Sequence, residues 1–373
     1  MRNKWSRRSV LTAGSVVGVS FLAGCTSEGS NDDDSNDDDG GETNTTGNGE
    51  DLPGSDLNIG VVTGAGGLGD QGFNDLANEG VQRAEDELGI SYNLVEPEDV
   101  TEFEQFHRQF AQSSSPEYDL VFGIGFTHAD TLDSLSEDFP ETNFAIIDGV
   151  VEKSNVASYT FKEHEGSYLV GVAAGHLTNR EFSVDSGRTD PNSKRIGFVG
   201  GVESFLINKF RAGYAAGAQS VDSEIEVLAS YVGSFSDPSS AKETAKGMYS
   251  NNADMIFPAA GGSGVGVFQA AQEDERLGFG VDTRKSVTQP DYSDVILGSM
   301  IKQTDNAVFE AIESLVNDEY AGGEIVELGL EDGGVDLTTG EDIGDQIPDE
   351  VMQAVDESRQ GIIDGEIDVP SEI

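Results

Sequence analysis

The chain of 373 residues carries 21 basic and 70 acidic side chains, a formal net charge of −49, and 36% hydrophobic residues. That length allows two ordinary domains or one bilobed unit. With no basic stripe to meet phosphates, nucleic acid is excluded as a partner. Self-repulsion at this charge is relieved where the Debye length falls to about 3 Å in molar salt, so the acid excess points to a chain adapted to concentrated salt.

The chain starts with Arg2, Lys4, Arg7 and Arg8, then an apolar stretch, SVLTAGSVVGVSFLAG, that stops at Cys25. This stretch is too short and too rich in small residues for a spanning helix. The Arg7-Arg8 pair resembles a twin-arginine export signal. Leu22 to Cys25, L-A-G-C, resembles a lipobox. Residues 1–24 then read as a signal, and Cys25 as a lipidated first mature residue at the outer face of the cytoplasmic membrane. Cys25 is the only cysteine, which excludes an internal disulfide or a multi-cysteine zinc site. Residues 25–56 are almost entirely Ser, Gly, Asn, Thr, Asp and Glu. They bury too little apolar surface to offset ordering entropy, and read as an acidic disordered tether.

From Leu57 onward, short apolar runs alternate with amphipathic ones. LNIGVVT, YNLVEP, DLVFGIG and NFAIIDG read as strands. Helices are predicted over 74–89 and 103–112, and in THADTLDSLSEDFP. Nearly all-apolar strands separated by helices indicate a parallel sheet covered on both faces. The alternation restarts after VASYTF. Helices over 163–178, 207–219, 240–251, 265–273 and 307–317 separate the strands RIGFVGG, EVLASYVG, DMIFPAAGG, FGVD and DVILGSMI. Two α/β lobes follow: 57–160 with a return at about 290–320, and 161–289. Residues 321–373 are acidic and carry only weak element signals.

In open parallel sheets, ligands sit at the carboxyl ends of strands. Here those ends are rich in glycine, with Gly261 and Gly262 among them, so backbone can approach a ligand closely. Asp70, Asn74, Asp148, Asp282 and Lys302 add polar groups; Phe73, Phe126, Phe205 and Phe210 add flat apolar surface. That mixture suits a ligand with an aromatic part and several hydroxyls. Phe210 also fits plain core spacing, and Asp282 fits a helix cap. His107, His128, His164 and His176 share no metal-ligand spacing and read as structural or surface residues.

The segments GLGDQGFNDLANEG, FAIIDG, HEGSYLVGVAAGHLT, IGFVGGVESFLINKFRAGYAAGA, IFPAAGGSGVGVFQAA and ILGSMIKQTDNAVFEAI resemble the basic membrane protein family of lipoproteins, which includes purine nucleoside receptors. The resemblance covers Leu57 to Asn317. It implies a type I periplasmic-binding-protein fold, two Rossmann-like lobes joined by a hinge, acting as a monomer that passes solute to the permease and ATPase of an ABC importer. It implies no cofactor. Carried over residue by residue, Asp70 and Asn74 lie at the base, with Phe73 between them. Phe210 stacks on the base and Asp148 lines the cleft. Gly261 or Gly262 approaches the sugar, and Asp282 and Lys302 hold ribose hydroxyls. This chain departs from the family twice: Gly72 stands where Ser is frequent, and TRKS follows Asp282 where acidic or amide residues are commoner.

Two other classes compete. Gly64, Gly66 and Gly69 satisfy the G-x-G-x-x-G of dinucleotide-binding enzymes. Glu96 lies too far on for the ribose acid, however, and Asp70 would face a pyrophosphate unfavourably. There is no G-x-S-x-G elbow and no H-E-x-x-H. A sensor binding a sugar or another small ligand would share the fold and the cleft.

Overall fold

The computed structural model describes residues 52–373. The signal, Cys25 and most of the tether lie outside the described residues. In chain order the elements are β1 (Asn58–Val62), α1 (Phe73–Leu88), β2 (Ser91–Val95), α2 (Phe103–Ala111), β3 (Leu120–Ile124), α3 (Ala129–Asp138), β4 (Asn143–Ile147) and β5 (Val156–Phe161). Then come α4 (Glu163–Thr178), the small hairpin β6 (Ser183–Val184) and β7 (Gly187–Arg188), β8 (Arg195–Gly200), α5 (Phe205–Val221), β9 (Glu226–Tyr231), α6 (Pro238–Ser250) and β10 (Met255–Ala259). The chain ends through α7 (Val265–Glu273), β11 (Leu277–Asp282), α8 (Lys285–Thr288), β12 (Ile296–Lys302), α9 (Thr304–Val316), β13 (Ile325–Leu328), β14 (Val335–Thr339) and α10 (Asp349–Ile363).

Two six-stranded sheets result, with strand orders β13-β5-β4-β3-β1-β2 and β14-β12-β11-β10-β8-β9. All neighbours within them run parallel except the pair of β12 with β14. The central strands are apolar because helices cover both faces: β3, β10 and β11 are buried along their whole length. The two orders match position for position, so each lobe repeats the other's framework except in the direction of its edge strand, β13 or β14.

The chain passes between the lobes after β5, after β12 and after β13. This refines the expected return at 290–320. Strand β12 belongs to the second sheet, between β11 and β14, and the return begins only with α9, which packs on α1. Parallel apolar strands look alike in sequence, so nothing in ILGSMI reveals its sheet. The weakly patterned tail also divides: β13 adds to the first sheet, β14 edges the second, and α10 packs on α4. At the other end, Gly54 was expected in the tether but is buried. Its amide donates to the Leu88 carbonyl (2.8 Å) at the end of α1, satisfying one of that helix's orphan acceptors.

The glycines of α4 and α5 have a packing reason. A Cβ at position 213 would lie 2.0 Å from the His164 carbonyl oxygen, and one at 171 would lie 2.2 Å from that of Tyr214. The two helix backbones touch, and only glycine permits that approach. His107 and His128 bond to each other (2.9 Å) in the first lobe's core, and burial lowers the pKa of both, so they stay neutral.

Candidate functional site

The carboxyl ends of β1, β3 and β4 face those of β10, β11 and β12 across a cleft of about 640 Å3, part of it open to solvent. A concave site lined by apolar rings and a few convergent polar groups suits a small-molecule ligand. The cleft gathers Asp70, Phe73, Asn74, Phe126 and Asp148 from the first lobe. From the second it gathers Phe210, Gly261, Asp282 and Lys302. Gly262 does not line it, but borders a smaller cavity behind Gly261. Phe205 begins α5 and is 67% exposed.

The loop ahead of α1 is built by its own side chains. Asp70 Oδ1 accepts from the Gly72 amide (2.9 Å), and Oδ2 accepts from the Asn74 amide (3.0 Å) and from Asn74 Nδ2 (3.1 Å). Asp70 therefore caps the start of α1, where orphan amides and the helix dipole favour an anion. Asn74 Oδ1 accepts from the Gly64 amide (2.9 Å), which ties the helix to the end of β1. The second hydrogen of its amide nitrogen has no acceptor among the described residues.

Asp148 and Asp282 follow and end the matching strands β4 and β11. Both adopt left-handed backbone, φ 66° and 67°. Aspartate tolerates that region better than most residues, and the conformation turns each side chain into the cleft. Asp148 Oδ2 accepts from Lys302 Nζ, while its Oδ1 is buried without a partner. Among the described residues, no group donates a hydrogen bond to the Asp282 carboxylate.

A chain of buried charge runs on from Lys302. Its ammonium also donates to Glu163 Oε1 (3.1 Å), and Lys209 Nζ pairs with Glu163 Oε2 (2.8 Å). Glu163 is fully buried. Lys302 stands over the rings of Phe73, Phe161 and Phe210, at 5.0, 4.8 and 5.8 Å from their centroids, a cation–π environment. Burial opposes charge on Lys302, but Asp148, Glu163 and Asp282 outweigh it and raise its pKa. Burial pulls Glu163 upward, yet Lys302 and Lys209 together hold it below its ordinary value. Lys302 is shared among several carboxylates, so Asp148 is left under-compensated: burial pushes it up to about 6 against the pull of Lys302, with Glu163 adding to the rise. Burial likewise raises Asp282, opposed by Lys302 and Lys285. The site thus holds two carboxylates with spare acceptors and an ammonium with a third proton to donate.

Phe235 also lines the cleft and was missed in the sequence. It lies just beyond β9, and its ring packs so closely on Gly201 that a Cβ there would lie 2.4 Å away. Its position beyond a strand end, alone among small residues in GSFSD, was the available signal. Glu163 and Lys209 were missed too, because a helix-borne charge pattern does not reveal which side faces inward.

A bilobed α/β framework with a polar, aromatic-walled cleft between its strand ends defines a solute-binding protein. Residues 58–372 match the family described as "ABC transporter substrate-binding protein PnrA-like". The chain belongs to that family, and is a binding protein and not an enzyme. It is 35% identical to the ABC transporter nucleoside-binding protein BmpA of Lactococcus lactis, over 85% of this chain and 90% of that one. It is 29% identical to an uncharacterized lipoprotein of Pyrococcus furiosus, over 86% and 82%. Among solved structures, an ABC transporter solute-binding protein of Aeropyrum pernix superposes with a TM-score of 0.74 at 29% identity, over 84% and 93% of the two chains.

Proposed function

We propose that the protein captures nucleosides, purines foremost, in the interlobe cleft and delivers them to the permease and ATPase of an ABC importer. The carrying observation is the cleft's composition: aromatic rings from both lobes beside two strand-end carboxylates with spare acceptors. A base fits between flat apolar walls. Ribose hydroxyls fit the free carboxylate of Asp282 and the third proton of Lys302, and a base N–H fits the orphaned Oδ1 of Asp148. The Lactococcus relative's name supports the same ligand class. The site's carboxylates disfavour a phosphate, so nucleosides are preferred over nucleotides.

Ligand bridging the lobes shifts the population toward the closed form. Cys25, lipidated after twin-arginine export, anchors the monomer through its tether to the outer face of the cytoplasmic membrane. The lipoprotein names among the relatives support that location. The acidic surface implies a salt requirement: lowering the salt should unfold the domain, read by circular dichroism, whereas an unchanged fold in dilute buffer removes the salt adaptation. The deciding experiment is isothermal titration in molar salt with adenosine, guanosine, inosine, uridine, free adenine and ribose. Saturable binding of a nucleoside, with base and sugar alone much weaker, supports the reading. A folded protein that binds none of them overturns it.

A further inference from the structure

Gly72 and the TRKS segment that follows Asp282 meet in space beside the Asp282 carboxylate. A Cβ at position 72 would lie 3.0 Å from Lys285 Nζ and 3.2 Å from Asp282 Oδ2. A side chain at 72 would therefore crowd the Lys285 ammonium and push it by a few tenths of an ångström. The ammonium donates to the Gln71 carbonyl oxygen (2.5 Å), and Thr283 Oγ1 donates to the same oxygen (2.9 Å). The Gln289 side-chain amide reaches the Gln71 side-chain carbonyl as well. Gln71 belongs to the first lobe and the other three residues to the second, so every one of these bonds crosses between lobes without passing through the ligand cleft.

We propose that Lys285 and Thr283 form a latch that grips the Gln71 carbonyl and holds the lobes together in the absence of ligand, and that Gly72 leaves that latch uncrowded. Three observations carry this. Gln71 has a left-handed backbone, φ 49°, and its main-chain oxygen is the acceptor that both second-lobe donors share. Lys285 is only 4% exposed, and Gln71 is its ammonium's only hydrogen-bond acceptor among the described residues, so the contact is not an incidental surface bond. Burial lowers the pKa of Lys285, and Asp282 on the second lobe with Asp70 and Asp75 on the first oppose that shift, so carboxylates of both lobes help hold the buried ammonium charged. Lys285 and Thr283 act on affinity as positioning residues: the latch lowers the cost of closure that ligand binding must otherwise meet, and so raises affinity without touching the ligand.

The test reads lobe separation directly and needs no ligand. Spin labels are placed on exposed helix positions of the two lobes, Glu87→Cys and Glu243→Cys, in the full chain with Cys25→Ser, and their distance distribution is measured in molar salt. The unsubstituted latch should show a substantial short-distance population. Lys285→Met should lower the closed-to-open ratio about tenfold or more, as expected for losing a charge-assisted hydrogen bond, and Thr283→Val should lower it less. Gly72→Ala should lower the ratio by less than Lys285→Met, because the ammonium can shift at the end of its flexible side chain, and the two effects should not add in full, because both weaken the same contact. A wholly open unliganded protein, a distribution unmoved or more closed in Lys285→Met, or fully additive effects of Gly72→Ala would each overturn the latch. Thr283→Val leaves every buried charge in place and keeps the test decisive if Lys285→Met folds poorly. Because no nucleoside is added, failure of the latch and failure of the nucleoside reading are separately visible.

Discussion

Asp148 and Asp282 stand at the same place in the two lobes, at the end of the third strand in each sheet order, with the same left-handed backbone. Their surroundings differ. Asp148 is bonded across the cleft to Lys302, whereas Asp282 sits in the same lobe as Lys302 and takes no hydrogen bond from it. The asymmetry traces to the neighbouring strand. Strand β5 ends in Phe161 and its counterpart β12 ends in Lys302, and the ammonium of one stands over the ring of the other. A duplicated framework thus carries different chemistry at matching positions. One lobe carries a carboxylate engaged by a cation, and the other a carboxylate that accepts no hydrogen bond among the described residues.

The strongest way to break this comparison is to remove the cation that creates it. Lys302→Met leaves Asp148 and Glu163 buried without their shared partner, and should cost about 3–5 kcal/mol of stability. Thermal unfolding in molar salt measures it. An unchanged melting temperature would mean that the carboxylates are already protonated and the pairing carries no weight. Replacing the free carboxylate should behave differently. Asp282→Asn should cost less stability than Lys302→Met, since no protein hydrogen bond is lost, yet weaken nucleoside binding by about 1.5–3 kcal/mol through loss of charge-assisted bonds. Equal affinity in titration would remove Asp282 from the ligand site.

A third effect separates the two carboxylates by pH. The folded pKa of Asp148 is raised above its unfolded value, so the unliganded protein binds more protons there and its contribution favours folding as pH falls through about 6. Ligand binding has the opposite sign. A donor on the ligand favours the ionised form, so affinity should be full above pH 6 and fall below it, by up to about tenfold per unit. The facing groups Lys302, Glu163 and Asp282 remain in both proteins when wild type is compared with Asp148→Asn. The acid-side loss should appear in wild type and be absent from the variant. A loss common to both would assign it elsewhere.

The legible parts of the molecule were those with a local signal. Apolar runs located every strand from β1 to β5 and from β8 to β12, and the rule that ligands gather at strand ends brought Asp148, Asp282 and Lys302 into one cleft. What stayed hidden depended on contacts between distant segments. The sheet membership of β12 is a pairing choice, and β13 and β14 are short edge strands with little apolar pattern. Glu163 and Lys209 look like ordinary helix charges until α4 and α5 are packed. Asp70 lines the cleft, but the cap that its two oxygens make on the backbone amides at the start of α1 depends on the fold of the loop. The meeting of Gly72 with Lys285 joins residues more than two hundred positions apart, which no local pattern reveals.

The finest test of the two-lobe comparison lies in the aromatic walls. Phe73 starts α1 in the first lobe, Phe235 follows β9 in the second, and both line the cleft half-buried. Phe210 is a poorer probe, because it is 3% exposed and packs against Phe257, so its loss would mix binding with folding. Substituting leucine keeps apolar volume and removes only the flat ring. A base held between the lobes should lose about 1 kcal/mol of affinity in each of Phe73→Leu and Phe235→Leu, the worth of an aromatic pair beyond its buried area. Titration with adenosine and with ribose separates the outcomes. Weaker adenosine binding in both variants places the base across the cleft, with each lobe supplying one face. Loss in one variant alone would mean that the base lies against a single lobe and that some other contact bridges the two.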